Sequence, residues 1–159
     1  MKRILFGVLL CLLMATPALA VDTFIETTQC YGNPQDVCIY TLEWREGAAD
    51  SDGISKPMSD SEFQKFKGYF AYPIITIPGT PSPTDNYDLT IMDGNLDLCG
   101  GLCANRHTTS TQRIVPKVDE TNSIYGGNPL LSAPVFTITD ASQNVQAASG
   151  KIILVLWRN

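Results

Sequence analysis

One histidine, His107, stands in 159 residues, and no G-x-S-x-G, H-E-x-x-H or phosphate-cradling glycine loop occurs. A base beside a nucleophile has a single imidazole to draw on, and the nucleophile-elbow, zincin and P-loop classes are excluded. Basic residues are scarce, eleven against sixteen acidic. Two of the eleven, Lys2 and Arg3, fall in the first twenty residues, which hold no acid, so residues 21–159 carry nine against sixteen, a net charge of −7. That balance opposes attraction to nucleic acid and to anionic lipid. Beyond residue 20 no apolar run approaches the roughly 20 residues of a spanning helix, so no membrane insertion is expected once the leader is removed.

The leader is the first thing that is present. MKRILFGVLLCLLMATPALA has a charged head at Lys2 and Arg3, an apolar run from Ile4 to Met14 and the small-x-small ending Ala18-Leu19-Ala20. Residues 1–20 read as a signal peptide. The expected protein is exported, to the periplasm or the extracellular or cell surface, with residues 21–159 as a single domain able to bury about two thirds of its unfolded surface. Cys11 leaves with the leader, and Val8-Leu9-Leu10 before it lacks the small residue of a lipoprotein processing site. Cys30, Cys38, Cys99 and Cys103 remain, an even set in an oxidising compartment, with three connectivities open. Turn chemistry at Tyr31-Gly32-Asn33-Pro34 and at Gly100-Gly101 favours the local disulfides Cys30–Cys38 and Cys99–Cys103, which would pin loops more than hold the fold. A zinc site is disfavoured, because the spacings are x7 and x3 rather than the paired x2 of structural zinc motifs.

Hydrophobic periodicity is mostly two. From Asp36 to Arg45, Cys38, Tyr40, Leu42 and Trp44 share one face, and from Asn86 to Met92 so do Tyr87, Leu89 and Ile91. Both stretches read as half-buried strands, with Trp44 a core anchor. Ile152 to Trp157 is apolar on both faces, which predicts a central strand covered above and below. Weaker strands are expected at Thr23–Thr28, Phe66–Ile77, Arg113–Val118 and Val135–Thr139, with Pro73 demoting part of the second to an edge or a bulge. Turn-formers separate them at Pro78 to Pro83, Asp93-Gly94-Asn95, Gly126 to Pro129 and Asp140 to Gly150. Gly47 to Met58 reads as a mobile surface loop. Ser59 and Glu62 form a capping-box pattern ahead of Phe63 and Phe66, predicting one short helix. The fold class is therefore all-β, a single antiparallel β-sandwich of jelly-roll or Ig-like kind with at most one short helix.

Candidate chemistry is thin. His107 lies in Asn105-Arg106-His107-Thr108-Thr109-Ser110-Thr111, where a hydroxyl nucleophile could stand beside it, although a solvated polar loop explains the same residues. Asp93-x-Asn95-x-Asp97 matches the first three ligands of a calcium loop, but Leu98 stands where glycine is needed and no distal glutamate follows in register. An EF-hand is excluded, an irregular calcium site is the remaining metal reading, and a hairpin whose carboxylates serve backbone N–H groups is preferred. Asp50-Ser51-Asp52-Gly53 is discounted likewise. Tyr69, Phe70 and Tyr72 beside Pro73, with Tyr125, are the aromatic material for a sugar-stacking or protein-docking patch, against a core role for the same rings.

Thr84-Asp85-Asn86-Tyr87-Asp88-Leu89-Thr90-Ile91, followed by Asp93-Gly94, Asp97-Leu98, Gly100-Gly101 and Ala104-Asn105-Arg106, resembles a group of small proteins encoded in tailed-phage and prophage genomes. Those are generally described as hypothetical or structural. The similarity covers roughly residues 66–157 and implies a compact β domain that assembles on, or associates with, a particle. The chain departs from the group in its export signal and in Cys99 and Cys103, where the group has apolar or small residues. Both departures fit a phage-type domain adapted to an oxidising compartment. The leading expectation is an exported, non-enzymatic structural or interaction protein, with a protein partner or self-assembly and a contact surface around Gly100–Thr111 and Gly126–Pro129, including Asn105, Arg106, His107 and Tyr125. The alternative is a carbohydrate- or calcium-binding module of the periplasm or cell surface. A small hydrolase using His107 ranks third.

Overall fold

A computed structural model describes residues 21–32, 36–47, 53–119, 124–139 and 148–158. The leader, the turn at 33–35, the Asp50 and Asp52 pair and the bulk of the 140–150 loop lie outside the described residues.

Alternation in the sequence becomes strand wherever one parity is apolar. The strands are β1 (Thr23–Tyr31), β2 (Val37–Arg45), β3 (Ile54–Pro57), β4 (Phe70–Pro78), β5 (Asp88–Asp93), β6 (Leu96–Asp97), β7 (Gln112–Ile114), β8 (Lys117–Asp119), β9 (Ile124–Tyr125), β10 (Asn128–Pro129), β11 (Val135–Thr139) and β12 (Ser149–Trp157), with one helix, α1 (Asp60–Phe66). A six-stranded sheet, called sheet 1 below, runs β1-β2-β12-β4-β10 with β7 also on β4; a four-stranded sheet 2 runs β3-β11-β5-β6; β8 and β9 form a separate ribbon. Every pairing is antiparallel. The expected all-β sandwich with one short helix is the fold observed.

Its core lies between the two sheets. Cys38, Tyr40, Leu42 and Trp44 of β2 and Ile152, Leu154 and Leu156 of β12 are buried together with Leu89 and Ile91 of β5 and Phe136 and Ile138 of β11. Rings span the layers: Tyr40 stacks on Phe136 at 5.8 Å between centroids, and Trp44 meets Tyr87 at 6.0 Å. Trp44 is the anchor expected, and Gly150 makes room for it, since a Cβ there would lie 2.8 Å from the indole and 2.9 Å from the Ile77 carbonyl oxygen.

Several boundaries differ from the sequence reading, each for a local reason. Pro73 does not make β4 an edge, because β12 pairs with one side of it and β10 and β7 with the other. It does mark a bulge: β12 advances from Leu154 to Leu156 while β4 runs from Ile74 to Ala71, one residue more. The extra residue resets the phase, so Ala71 and Ile74 both face the core despite their odd spacing. On the far side β10 pairs with Phe70 and Ala71, and β7 with Ile74 to Thr76, leaving Pro73 between them. Gly47 to Met58 is not a loop throughout, since Ile54–Pro57 pairs with β11 and Ile54 and Met58 are buried. Arg113–Val118 divides into β7 and β8 around Val115 and Pro116. Asn86 takes φ 66°, so β5 starts two residues later than alternation suggests.

The helix is where it was expected, but no capping box closes it. Ser59 is the N-cap and its side chain makes no cap bond. Glu26, the one charge on β1, turns inward and accepts the Ser59 N–H at 3.1 Å. Glu62 meanwhile accepts from Thr28 Oγ1 at 2.7 Å and from Lys65 Nζ at 2.7 Å. A half-buried carboxylate needs donors more than an exposed helix end needs its own box, so tertiary contacts override the local pattern. Beneath the same contacts, burial and the charges of Glu26 and Glu62 push the Tyr40 phenol well above its ordinary pKa, and it stays protonated.

Candidate functional site

The residues that look chemical in the sequence cluster between Asp93 and Gln112, and the side chains of Asp93, Asp97, Arg106 and His107 are turned onto the domain's own backbone. Asp93 closes the two-residue Gly94-Asn95 hairpin between β5 and β6, and only 6% of it is exposed. Its Oδ2 accepts the Leu131 N–H at 2.6 Å, its Oδ1 accepts the Ser132 N–H at 2.6 Å, and the Ser132 hydroxyl donates to Oδ1 as well. Asp97 accepts from Cys99 N at 2.9 Å and Gly101 N at 2.7 Å. Asn95 is exposed at the turn. Asp93 and Asp97 therefore face different backbone partners while Asn95 is exposed, and the two carboxylates do the backbone work expected of a hairpin. Among the described residues no group of three or more His, Cys, Asp or Glu could hold a metal.

Cys99 and Cys103 are disulfide-bonded around this turn with Cα atoms 5.6 Å apart. Gly100 and Gly101 both take positive φ, 58° and 74°, which explains why glycine stands at each. Arg106 locks the loop from the other side: Nη2 donates to the Leu102 and Ala104 carbonyls at 2.7 Å each, and Nε to Ala104 at 3.1 Å. Its backbone forms a bridge with Tyr87. Burial pulls the guanidinium below its ordinary pKa, opposed by Tyr87 and Asp88. Asn105 sits in the left-handed region at φ 53° and donates its N–H to Asp88 Oδ1 at 2.7 Å. His107 is exposed, but its Nδ1 accepts the N–H groups of Thr109 and Ser110 at 3.1 and 3.2 Å. The lone pair that would take a proton from Thr109 Oγ1, 3.3 Å away, is already shared by two amides. The Tyr125 backbone pairs with Lys117 in the β8–β9 ribbon, apart from both sheets.

Tyr69 is core, edge-on to Phe66 with the Arg158 guanidinium over its ring. Phe70 and Tyr72 are half-buried on sheet 1. That sheet carries what residue-type reasoning passed over. Away from the core, Tyr31, Val37, Trp157 and Phe70 stand in one row across β1, β2, β12 and β4. Tyr31 is 53% and Trp157 43% exposed. The Trp157 indole is held by an Nε1–H bond to the Tyr72 carbonyl at 2.5 Å. Further rows set Thr27, Thr41, Ile153 and Ile75 side by side, then Ile25, Glu43, Lys151 and Ile77. Lys151 and Glu43 form an ion pair beside an open cleft of about 310 Å³. β12 is thus central in the sheet but is not covered on both faces: its inner parity is buried, and Ile153 and Val155 on the other are half-buried. The signal was in the sequence, since an apolar strand on both parities means either two covered faces or one interaction face.

Both predicted disulfides are present. Cys30 and Cys38 are directly opposed across β1 and β2, so this bond staples two strands rather than a loop, with Cα atoms 4.0 Å apart. No helix among the described residues is long and apolar enough to cross a membrane. No family model, curated protein or solved structure matches the chain.

Proposed function

We propose that this chain is an exported, non-enzymatic structural or interaction domain of the phage and prophage type, acting by binding or assembly through sheet 1. The observation that carries the reading is the exposed aromatic row of Tyr31 and Trp157 at one end of the outer face of sheet 1, set against a loop region whose carboxylates, guanidinium and imidazole are bonded internally. Large exposed apolar patches mark contact surfaces. Two bonded cysteine pairs support an oxidising destination, in keeping with the leader. In this reading the contact surface lies on the strands of sheet 1 instead of the loops Gly100–Thr111 and Gly126–Pro129 expected from the sequence.

The test is to fractionate the producing culture into cytoplasm, periplasm, medium and sedimentable particles and to locate the mature chain by mass spectrometry. Cosedimentation that Trp157→Ala abolishes, while the protein still folds, is the expected result. Cosedimentation indifferent to Trp157→Ala and Tyr31→Ala would overturn the sheet-face assignment.

One observation favours a second reading. Tyr31 and Trp157 stand two strands apart in the same row, roughly 10 Å by sheet spacing, which suits the faces of neighbouring sugar rings. Calorimetric titration with soluble oligosaccharides decides it: heat of binding lost in Trp157→Ala would select the carbohydrate module.

A further inference from the structure

We infer that β1 is a self-complementary docking edge, through which the domain pairs with a second copy of itself, β1 antiparallel to β1 about a two-fold axis at Thr27. The inference rests on the assembly reading above and names its first partner.

Edge strands expose unpaired N–H and C=O groups, and proteins ordinarily blunt them with short length, lysine, proline or bulges. The other edges of sheets 1 and 2 are blunted. β3 has four residues including Lys56 and Pro57, β6 has two, and the far side of β4 is divided between β10, two residues ending in Pro129, and the three of β7. β1 has nine residues, TFIETTQCY, without proline, lysine or any break in register against β2. Among the described residues no strand pairs with its other side.

The strand is also fixed in advance. The Cys30–Cys38 bond holds one end, and the Asp22 carboxylate accepts the Gly47 N–H at the other, at 2.7 Å. Thr28 and Glu26 are tied from inside to Glu62 and Ser59. A strand already ordered loses little entropy on docking. Glu26, which could guard the edge as an inward charge, is instead satisfied by Ser59 N and lies 3.9 Å from Lys56 Nζ.

Self-pairing follows from the register. An axis at Thr27 uses the whole strand, opposing Thr23 to Tyr31, Phe24 to Cys30, Ile25 to Gln29 and Glu26 to Thr28, so no two charged residues of β1 stand directly opposite. An axis at Glu26 would set that carboxylate against its own copy, which is unfavourable. With β1 the one open edge of sheet 1 among the described residues, two-fold pairing closes as a dimer instead of propagating as a fibre. It also joins two six-stranded sheets, bringing the Tyr31 rows of both copies to one surface.

The experiment is sedimentation equilibrium on the purified mature chain, with Thr27→Lys and Thr27→Cys. A dimer is expected, and Thr27→Lys, which sets a cation against itself across the axis, should weaken it about tenfold or more without lowering the melting temperature of the monomer. Thr27→Cys should crosslink on mild oxidation, whereas Ile25→Cys, opposite Gln29, should not. A monomer at every concentration, or a dimer indifferent to Thr27→Lys and crosslinked equally by Ile25→Cys, overturns the inference. A monomer that still cosediments through Trp157 would leave the proposed function standing without the dimer. A Thr27-dependent dimer absent from every particle fraction would do the reverse.

Discussion

The segment from Asp93 to Gln112 and the strand β1 handle polar groups in opposite ways. The first carries two carboxylates, an imidazole and a guanidinium, and all four groups bond to backbone of the same domain. The second is chemically plain, yet one side of its backbone has no strand partner among the described residues. Availability for a partner is set by what a group already bonds to, and residue type alone does not report that.

The comparison can be broken most sharply at Asp93. Replacing it with alanine strands the Leu131 and Ser132 N–H groups beside a buried site, and a loss of about 3 kcal/mol in urea unfolding is expected. Asp93→Asn, which keeps an acceptor oxygen, should lose less. A stability unchanged in Asp93→Ala would mean that the carboxylate is not committed to the fold, and the contrast with β1 would collapse.

The two disulfides sharpen the contrast next. They span 8 and 4 residues of sequence, and chain entropy gives about 2.5 and about 2 kcal/mol for their removal. Although these are close, the consequences should part. Removing Cys30–Cys38 with paired serines should raise amide exchange along β1 and weaken dimerisation, whereas removing Cys99–Cys103 should raise exchange only around Asp97 to Arg106. Equal exchange changes in both regions would count against β1 as an independently held edge.

Arg106→Ala comes third, costing about 1 kcal/mol by loss of its carbonyl contacts, with particle association unchanged. Reduced association in a folded Arg106→Ala protein would restore the loop as the contact surface. The smallest effect concerns Glu62. Burial raises its pKa, but bonds from Lys65 and Thr28 outweigh this and leave it below the ordinary 4.5. The unfolded chain then binds more protons than the folded one just below that value. This stabilisation is complete above the ordinary value and is lost as pH falls through the folded one. Glu62→Gln should flatten that acid limb of melting temperature against pH.

Much of this arrangement was legible in the sequence because period-two alternation is a local signal. Val37–Arg45 and Val135–Thr139 follow from it directly, and short cysteine spacing across turn residues was enough for both disulfides. What escaped is non-local. Ile54–Pro57 is a strand only because β11 lies beside it, and Ser59 lost its capping box to a carboxylate thirty-three positions away. The candidate site escaped for the same reason. No property of Thr23–Tyr31 taken alone distinguishes an edge strand from an interior one, and the outer-facing parity of β12 could not be told from a buried one until the layers were known.

The placement of the two tryptophans equips the molecule with its own pair of optical gauges. Trp44 is sealed between the layers and Trp157 stands at the outer surface. Emission from the first should shift to the red only when the core opens to water, and the second should respond to quenchers until something covers the sheet. A single unlabelled sample can therefore separate unfolding from docking, and Trp157→Phe leaves the core signal standing alone.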